Sequence, residues 1–318
     1  MGLFDAFKKK SEPARRPPIR PILRPGALPP HPDPQADKNF VIVILDSCRW
    51  DSMCAAEPKT ITKLGPIEKR YTYASWTAPS HYNLLTGLLP HSTPAHVYAS
   101  DYYKEDFFNY NRRLGAKGIE FAKMVPALWF PGFLRNTMGY ETHARVSLPV
   151  LNPKTGINKD FDSFQLMDSH NDMKSMLPTM KFTDERPSFY LLNVGETHYP
   201  YAKPDEDSSM WPRISGVNGV FKKLDSQIDA QGNLIHEADA PQFFDQGKLD
   251  QLRERQIETV RYLDREVFPA FFDLLPKNTT VIVTADHGEL FGEAGYFGHG
   301  PIMHDKCFEV PYIEGQIR

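Results

Sequence analysis

The sequence has few cysteines, no long apolar run and little net charge, and each shortage removes a class of protein. Cys48, Cys54 and Cys307 are an odd set without CxxC spacing, which excludes a disulfide framework, fits a reducing compartment and leads to a cytoplasmic expectation. The most apolar stretch, Phe40–Leu45, is far shorter than the ~20 residues a spanning helix needs, so no transmembrane segment is expected. Met1–Phe7 is short and mixed, is followed by Lys8, Lys9 and Lys10, and lacks the apolar core and cleavage site of an export signal. A net charge of −3 with a pI near 6.4 gives no overall attraction for polyanions. There is no nucleic-acid signature, and a phosphate-bearing substrate has to be held by local groups.

What is abundant near the start is proline, from Ser11 to about Asp37, with scattered Arg and few apolar side chains to offset ordering entropy. Residues 1–38 carry eight Lys/Arg against four Asp/Glu. They are expected to form a disordered, mildly basic tail able to make weak contact with a membrane surface or an acidic partner. Residues 39–318 suffice for one large α/β core and are expected to form a single catalytic domain.

Three apolar runs, Phe40–Leu45, Ser188–Val194 and Thr279–Thr284, are short and rich in branched side chains, as strands buried on both faces are. Before the last of them, Leu249, Leu252, Val260, Leu263, Val267, Phe271 and Leu274 recur at helical spacing, and Pro276 and Asn278 close that helix. Alternating strands and helices predict an α/β fold, a mostly parallel central sheet with helices on both faces. In such sheets ligands sit beyond the carboxyl ends of the strands. The residues standing there are Asp46, then Gly195-Glu196-Thr197-His198, then Asp286-His287.

Each of these has an ordinary reading beside the chemical one. An Asp after a strand is often a turn former, and a loop His such as His198 is often plain polar surface. The segment Ser75-Trp-Thr-Ala-Pro-Ser-His-Tyr-Asn-Leu-Leu-Thr-Gly87 reads as a turn and then a short helix with Pro79 near its first position, and Thr77 sits at the helix N-terminus. It reads either as a cap or as a hydroxyl at an anion-binding helix terminus. Thr284-Ala-Asp-His-Gly-Glu289 followed by Gly298-His-Gly300 is more specific, because adjacent Asp286 and His287 at a strand end can face one cation.

In this order the pieces resemble the sulfatase-like branch of the alkaline phosphatase superfamily, from about Phe40 to Tyr312. Thr77-Ala-Pro79-Ser80-His81 and Leu84-Leu-Thr-Gly87 resemble the Cys-x-Pro-Ser-Arg and Leu-Leu-Thr-Gly nucleophile signature. Asn158–Phe164 is similar to the Gly-Phe-Asp stretch, and Thr284–Glu289, His299-Gly300 and Glu309-Val-Pro311 resemble the C-terminal signature. Sulfatases oxidise Cys or Ser at the nucleophile position to an aldehyde, which Thr77 cannot form. His81 stands where the signature has Arg. A Thr nucleophile with this metal set is similar instead to lipoteichoic acid synthases and phosphoethanolamine transferases.

The resemblance implies a divalent cation between Asp46, Thr77, Asp286 and His287, with His198 and His299 opposite as catalytic groups. The mixed oxygen and nitrogen donors suit Zn or Mn, with Mg or Ca as alternatives. Two-metal relatives place an Asp four residues before the histidine; here that position is Val194. One tight site is therefore expected, with His198, His299, Glu196 and His81 as candidates for a second metal or for substrate. The activity implied is hydrolysis of a phosphomonoester or phosphodiester through a covalent phosphothreonine at Thr77. The alternatives are a phospho-group transferase with an acceptor pocket in the aromatic segment Ala95–Thr142, and, below it, a sulfatase or a non-catalytic binding protein.

Overall fold

The computed structural model describes residues 37–92, 107, 109–120, 128–207 and 245–318. The Pro-rich segment and part of the aromatic segment 95–142 lie outside the described residues. Seven strands form the main sheet in the order β2-β9-β6-β1-β5-β3-β4. They are β1 (Asn39–Leu45), β2 (Glu68–Tyr71), β3 (Glu141–Val146), β4 (Ser163–Leu166), β5 (Ser188–Val194), β6 (Thr279–Thr284) and β9 (Glu309–Gln316). β1 runs parallel to both β5 and β6, and β3 runs parallel to β5 and β4, while β9 is antiparallel to β6 and β2. A two-stranded ribbon, β7 (Leu290–Phe291) and β8 (Phe297–Gly298), stands apart from it.

β1 shows why the sheet is buried on both faces. Phe40, Ile42 and Ile44 pack into one core with Leu84, Leu85 and Phe130, while Val41, Val43 and Leu45 pack into the other with Met53, Val260 and Leu263. The period of two sends successive side chains to opposite faces, so an unbroken apolar run is what a central strand requires. Helices α1 (Trp50–Ala56) and Gln246–Tyr262 cover one face, and α2 (Thr77–Leu85) and Phe130–Thr137 the other.

The expected single helix through Leu274 is interrupted. Gln246–Tyr262 is α-helical, Leu263–Val267 is a π-helical turn, and Phe268–Leu274 resumes the α form. Pro269 lies just beyond the turn and has no N–H for the helical ladder, which accounts for a local change of winding there. The turn is anchored by buried Asp264, whose carboxylate accepts from the amides of Lys59, Thr60 and Ile61 at 2.8 Å each.

Candidate active site

The carboxyl ends of β1, β5 and β6 and the start of α2 meet at one point. Ser47, immediately after Asp46, takes a left-handed backbone conformation with φ of 61°. That turn sends its amide to Asp286 Oδ1 (3.1 Å) and its hydroxyl to Asp46 Oδ1 (3.1 Å). Asp46 Oδ2 accepts from the Asn193 amide at 2.8 Å, and Thr197 donates to the Asp46 carbonyl at 2.7 Å. Buried Gln256 donates to the Ser47 and Thr197 carbonyls at 2.9 and 3.1 Å, joining the loops after β1 and β5. The site is thus held by backbone and amide contacts from three strand ends and one helix.

His287 Nδ1 lies 2.9 Å from the Gly288 carbonyl. A carbonyl only accepts, so Nδ1 carries the proton and Nε2 presents a lone pair. Nε2 stands 3.2 Å from Thr77 Oγ1, 3.4 Å from Asp286 Oδ2 and 3.9 Å from Asp46 Oδ1. Asp286 Oδ2 is buried and has no hydrogen-bond partner among the described residues. Burial and the charge of Asp46 push the Asp286 carboxyl well up, whereas burial pushes His287 well down. Burial would also raise Asp46, but His198 and the Asn193 hydrogen bond are among the contacts that outweigh it and hold that carboxyl low.

Two carboxylates and a bare imidazole nitrogen converge, with ligand atoms all within 4.8 Å of one another. Donors bound at ~2.0–2.2 Å around a tetrahedral ion stand ~3.3–3.5 Å apart, so these spacings fit a small divalent cation with little movement. Uncompensated acceptors buried this closely are what a cation offsets.

Thr77 is the first residue of α2, 6% exposed, and opens onto a cleft of about 1090 Å³ lined also by Trp76, Tyr82, Val150, His170, His198 and His299. His299 and His198 stand with ring centres 5.3 Å apart, and the His299 ring lies 4.3 Å from that of His287. Glu289 Oε1 accepts from His299 Nδ1 at 2.8 Å, and its other oxygen accepts from the Tyr201 hydroxyl. Burial opposes a charged His299, but the Glu289 carboxylate prevails and raises it.

The remaining candidates sit differently. His81 is fully buried, with Nδ1 donating to the Thr77 carbonyl at 2.8 Å and lying 3.6 Å from Asp286 Oδ2. It braces the start of α2 against Asp286 and is not among the residues that line the cleft. Glu196 accepts from the Met173 amide at 2.8 Å and is raised to about 7 by burial, only partly offset by that amide. Its contact is therefore with the 173–179 segment, not with His198 or His299.

Asn193, Gln256, Glu289 and His170 were not among the expected site residues. An Asn one place from the end of an otherwise apolar strand, and the Glu that closes Asp-His-Gly-Glu, were the available signals for two of them. The family pattern described as Sulfatase matches residues 38–313. No curated protein matches the chain. Among solved structures the chain is similar to the C-terminal periplasmic domain of EcEptC from Escherichia coli, at 13% identity and TM-score 0.50, covering 92% of this chain and 77% of that one. It is also similar to a 2-O GAG sulfatase, at 13% identity and TM-score 0.51, covering 88% of this chain and 65% of that one. At such identities the likeness concerns the fold. No helix among the described residues is long and apolar enough to cross a membrane.

Proposed function

The chain belongs to the sulfatase family, in the sulfatase-like branch of the alkaline phosphatase superfamily, and from that premise we propose that it cleaves phosphate esters with Thr77 as nucleophile. The observation that carries the reading is the 3.2 Å approach of Thr77 Oγ1 to His287 Nε2 at the floor of an open cleft, beside two buried carboxylates. A threonine there cannot give the aldehyde that family members using sulfate esters form, so the hydroxyl itself has to act.

A divalent cation held by Asp46, Asp286, His287 and Thr77, Zn or Mn on the donor chemistry, would lower the pKa of the Thr77 hydroxyl and offset phosphoryl charge. In the first step Thr77 gives up its hydroxyl proton to solvent, and Oγ1 forms a bond to phosphorus as the bond to the leaving oxygen breaks. His299, oriented by Glu289, supplies the proton that the leaving oxygen takes. The first amides of α2 face the phosphoryl oxygens with the positive end of the helix dipole. His198, across the cleft with Nδ1 on the Tyr199 carbonyl at 2.9 Å, presents Nε2 to the same group and donates to it when the ring is protonated. Water then attacks phosphorus and releases Thr77, or an acceptor alcohol does so in a transferase. The cleft, with its apolar wall, has room for an acceptor, which keeps the transferase reading as the second one.

Residues 39–318 are taken as the catalytic domain and 1–38 as a tail. The three free cysteines, two of them buried, are compatible with a cytoplasmic setting. The test is turnover of 4-nitrophenyl phosphate, bis(4-nitrophenyl) phosphate and 4-nitrophenyl sulfate by the full chain and by Thr77→Ala. Thr77-dependent cleavage of a phosphate ester, with the sulfate ester untouched, is expected. Cleavage of the sulfate ester, or turnover unchanged in Thr77→Ala, would contradict the reading.

A further inference from the structure

His170 lines the cleft together with Thr77, His198 and His299, yet none of the steps above uses it. Its place in the fold is closely defined. A side chain on Gly195 would put its Cβ 1.9 Å from the His170 carbonyl oxygen, so glycine there lets the turn carrying His170 press against the end of β5. On the next residue, the Asn171 amide donates to the Ala202 and Lys203 carbonyls at 3.3 and 3.0 Å and accepts from the Ser169 hydroxyl at 2.7 Å. The backbone around His170 is thus tied down on both sides, while His170 Nε2 is buried without a hydrogen-bond partner among the described residues. Buried polar atoms are rarely left so, and one at a cleft points to a partner that arrives with a ligand.

The cleft beside His170 is apolar. Leu148 and Pro149 lead to Val150, which is 48% exposed, and Trp76 and Tyr82 on the α2 side are 46% and 41% exposed. A phosphate monoester needs the cation residues, Thr77 and the two histidines, and leaves this wall bare. Large apolar side chains held open next to a polar reaction centre mark a binding surface for part of the substrate.

We propose that His170 and this wall form a subsite for the second substituent of a phosphodiester, with the imidazole hydrogen-bonding a polar atom of that substituent and Trp76, Tyr82 and Val150 packing on its apolar body. The preferred substrate class is then a diester with a bulky apolar or aromatic group. The inference rests on the reading of Thr77 as nucleophile.

The test compares His170→Ala, His170→Asn and the unaltered chain on 4-nitrophenyl phosphate, methyl 4-nitrophenyl phosphate and bis(4-nitrophenyl) phosphate. In His170→Ala, kcat/KM for the bis-aryl diester should fall about tenfold or more relative to that for the monoester, with His170→Asn recovering part of the loss. Equal changes on all three esters overturn the subsite and leave the Thr77 reading standing. The subsite is also read without turnover, by calorimetric binding of diphenyl phosphate and phenyl phosphate to Thr77→Ala with and without His170→Ala. Loss of the preference for diphenyl phosphate on removing His170 supports the subsite, and equal affinity for the two phosphates with His170 present overturns it. Should none of the three esters be cleaved in a Thr77-dependent way, the proposed function fails, and the binding comparison still decides the subsite.

Discussion

His287 Nε2 lies 3.2 Å from Thr77 Oγ1, although the two residues are 210 positions apart in the chain. The contact exists because β6 and α2 deliver their ends to one point, and the Gly288 carbonyl fixes the imidazole with its lone pair toward the hydroxyl. Asp46 and Asp286 face the same point from β1 and β6.

Two buried carboxylates at that point make the cation-free protein electrostatically strained. Chelation is expected to lower the melting temperature, and Asp286→Asn to raise the stability of the chelated protein by about 1–3 kcal/mol, because it removes an unpaired buried oxygen and a like charge. The same substitution should take bound metal from about one cation per chain to near none. Thermal unfolding with and without chelator, alongside metal analysis, measures both. A chelated Asp286→Asn protein less stable than chelated unaltered chain would speak against the cation assignment.

Glu289 holds His299 Nδ1 at 2.8 Å. Glu289→Gln should lower kcat about 10–100-fold, since groups that orient a site imidazole carry effects of that size. KM should move much less, because Glu289 lies behind His299 and does not itself line the cleft. Steady-state kinetics on an aryl phosphate ester reads the split, and a change confined to KM would count against the orienting role.

Gly195→Ala is expected to cost about 1–3 kcal/mol, the usual range for forcing extra atoms into a packed interior. The added Cβ would stand 1.9 Å from a backbone oxygen at His170, and 3.0 Å from Leu148 Cδ2. Denaturant unfolding measures the loss. Because the turn carrying His170 would have to retreat, selectivity between diester and monoester should change with it.

Acid stability follows from Asp51. Burial works to raise this carboxyl, but Arg49 at 2.6 Å, with Lys306 and Arg253, holds it down at about 2 against an ordinary value of 3.8. A depressed carboxyl contributes stability above its unfolded-state pKa and loses it as the pH falls through the folded value. The contribution, about 1–2 kcal/mol after solvent screening, should therefore be full above pH ~4 and vanish toward pH ~2. Urea midpoints of the unaltered chain and Asp51→Asn should converge over that window, and a constant difference down to pH 2 would be inconsistent with it.

The parts of the fold legible in the sequence are those whose environment is uniform along the chain. β1, β5 and β6 are largely apolar because both faces are covered, and their ends marked Asp46, Asp286 and His287 as neighbours in space. β2 (Glu-Lys-Arg-Tyr) and β3 (Glu-Thr-His-Ala-Arg-Val) gave no such signal. β2 lies at an edge of the sheet, and β3 carries polar side chains such as Arg145, paired with Thr179 at 2.7 Å. The groups that hold the site were hidden for another reason. Gln256 reaches Ser47 across 209 positions and Asn193 reaches Asp46 across 147, and a single polar contact over that separation has no periodicity to read. Glu196 illustrates the converse, a residue in the right loop whose side chain serves the Met173 amide.

On the proposed mechanism Thr77 becomes phosphorylated during turnover. Acid-quenched samples taken in the first turnover of bis(4-nitrophenyl) phosphate, digested and examined by mass spectrometry, test it most directly. A phosphoester should appear on the peptide containing Thr77, form with the first equivalent of 4-nitrophenol, decay as substrate is exhausted, and be missing in Thr77→Ala. An unmodified Thr77 peptide throughout steady turnover, or a phosphoester on another residue, would contradict it.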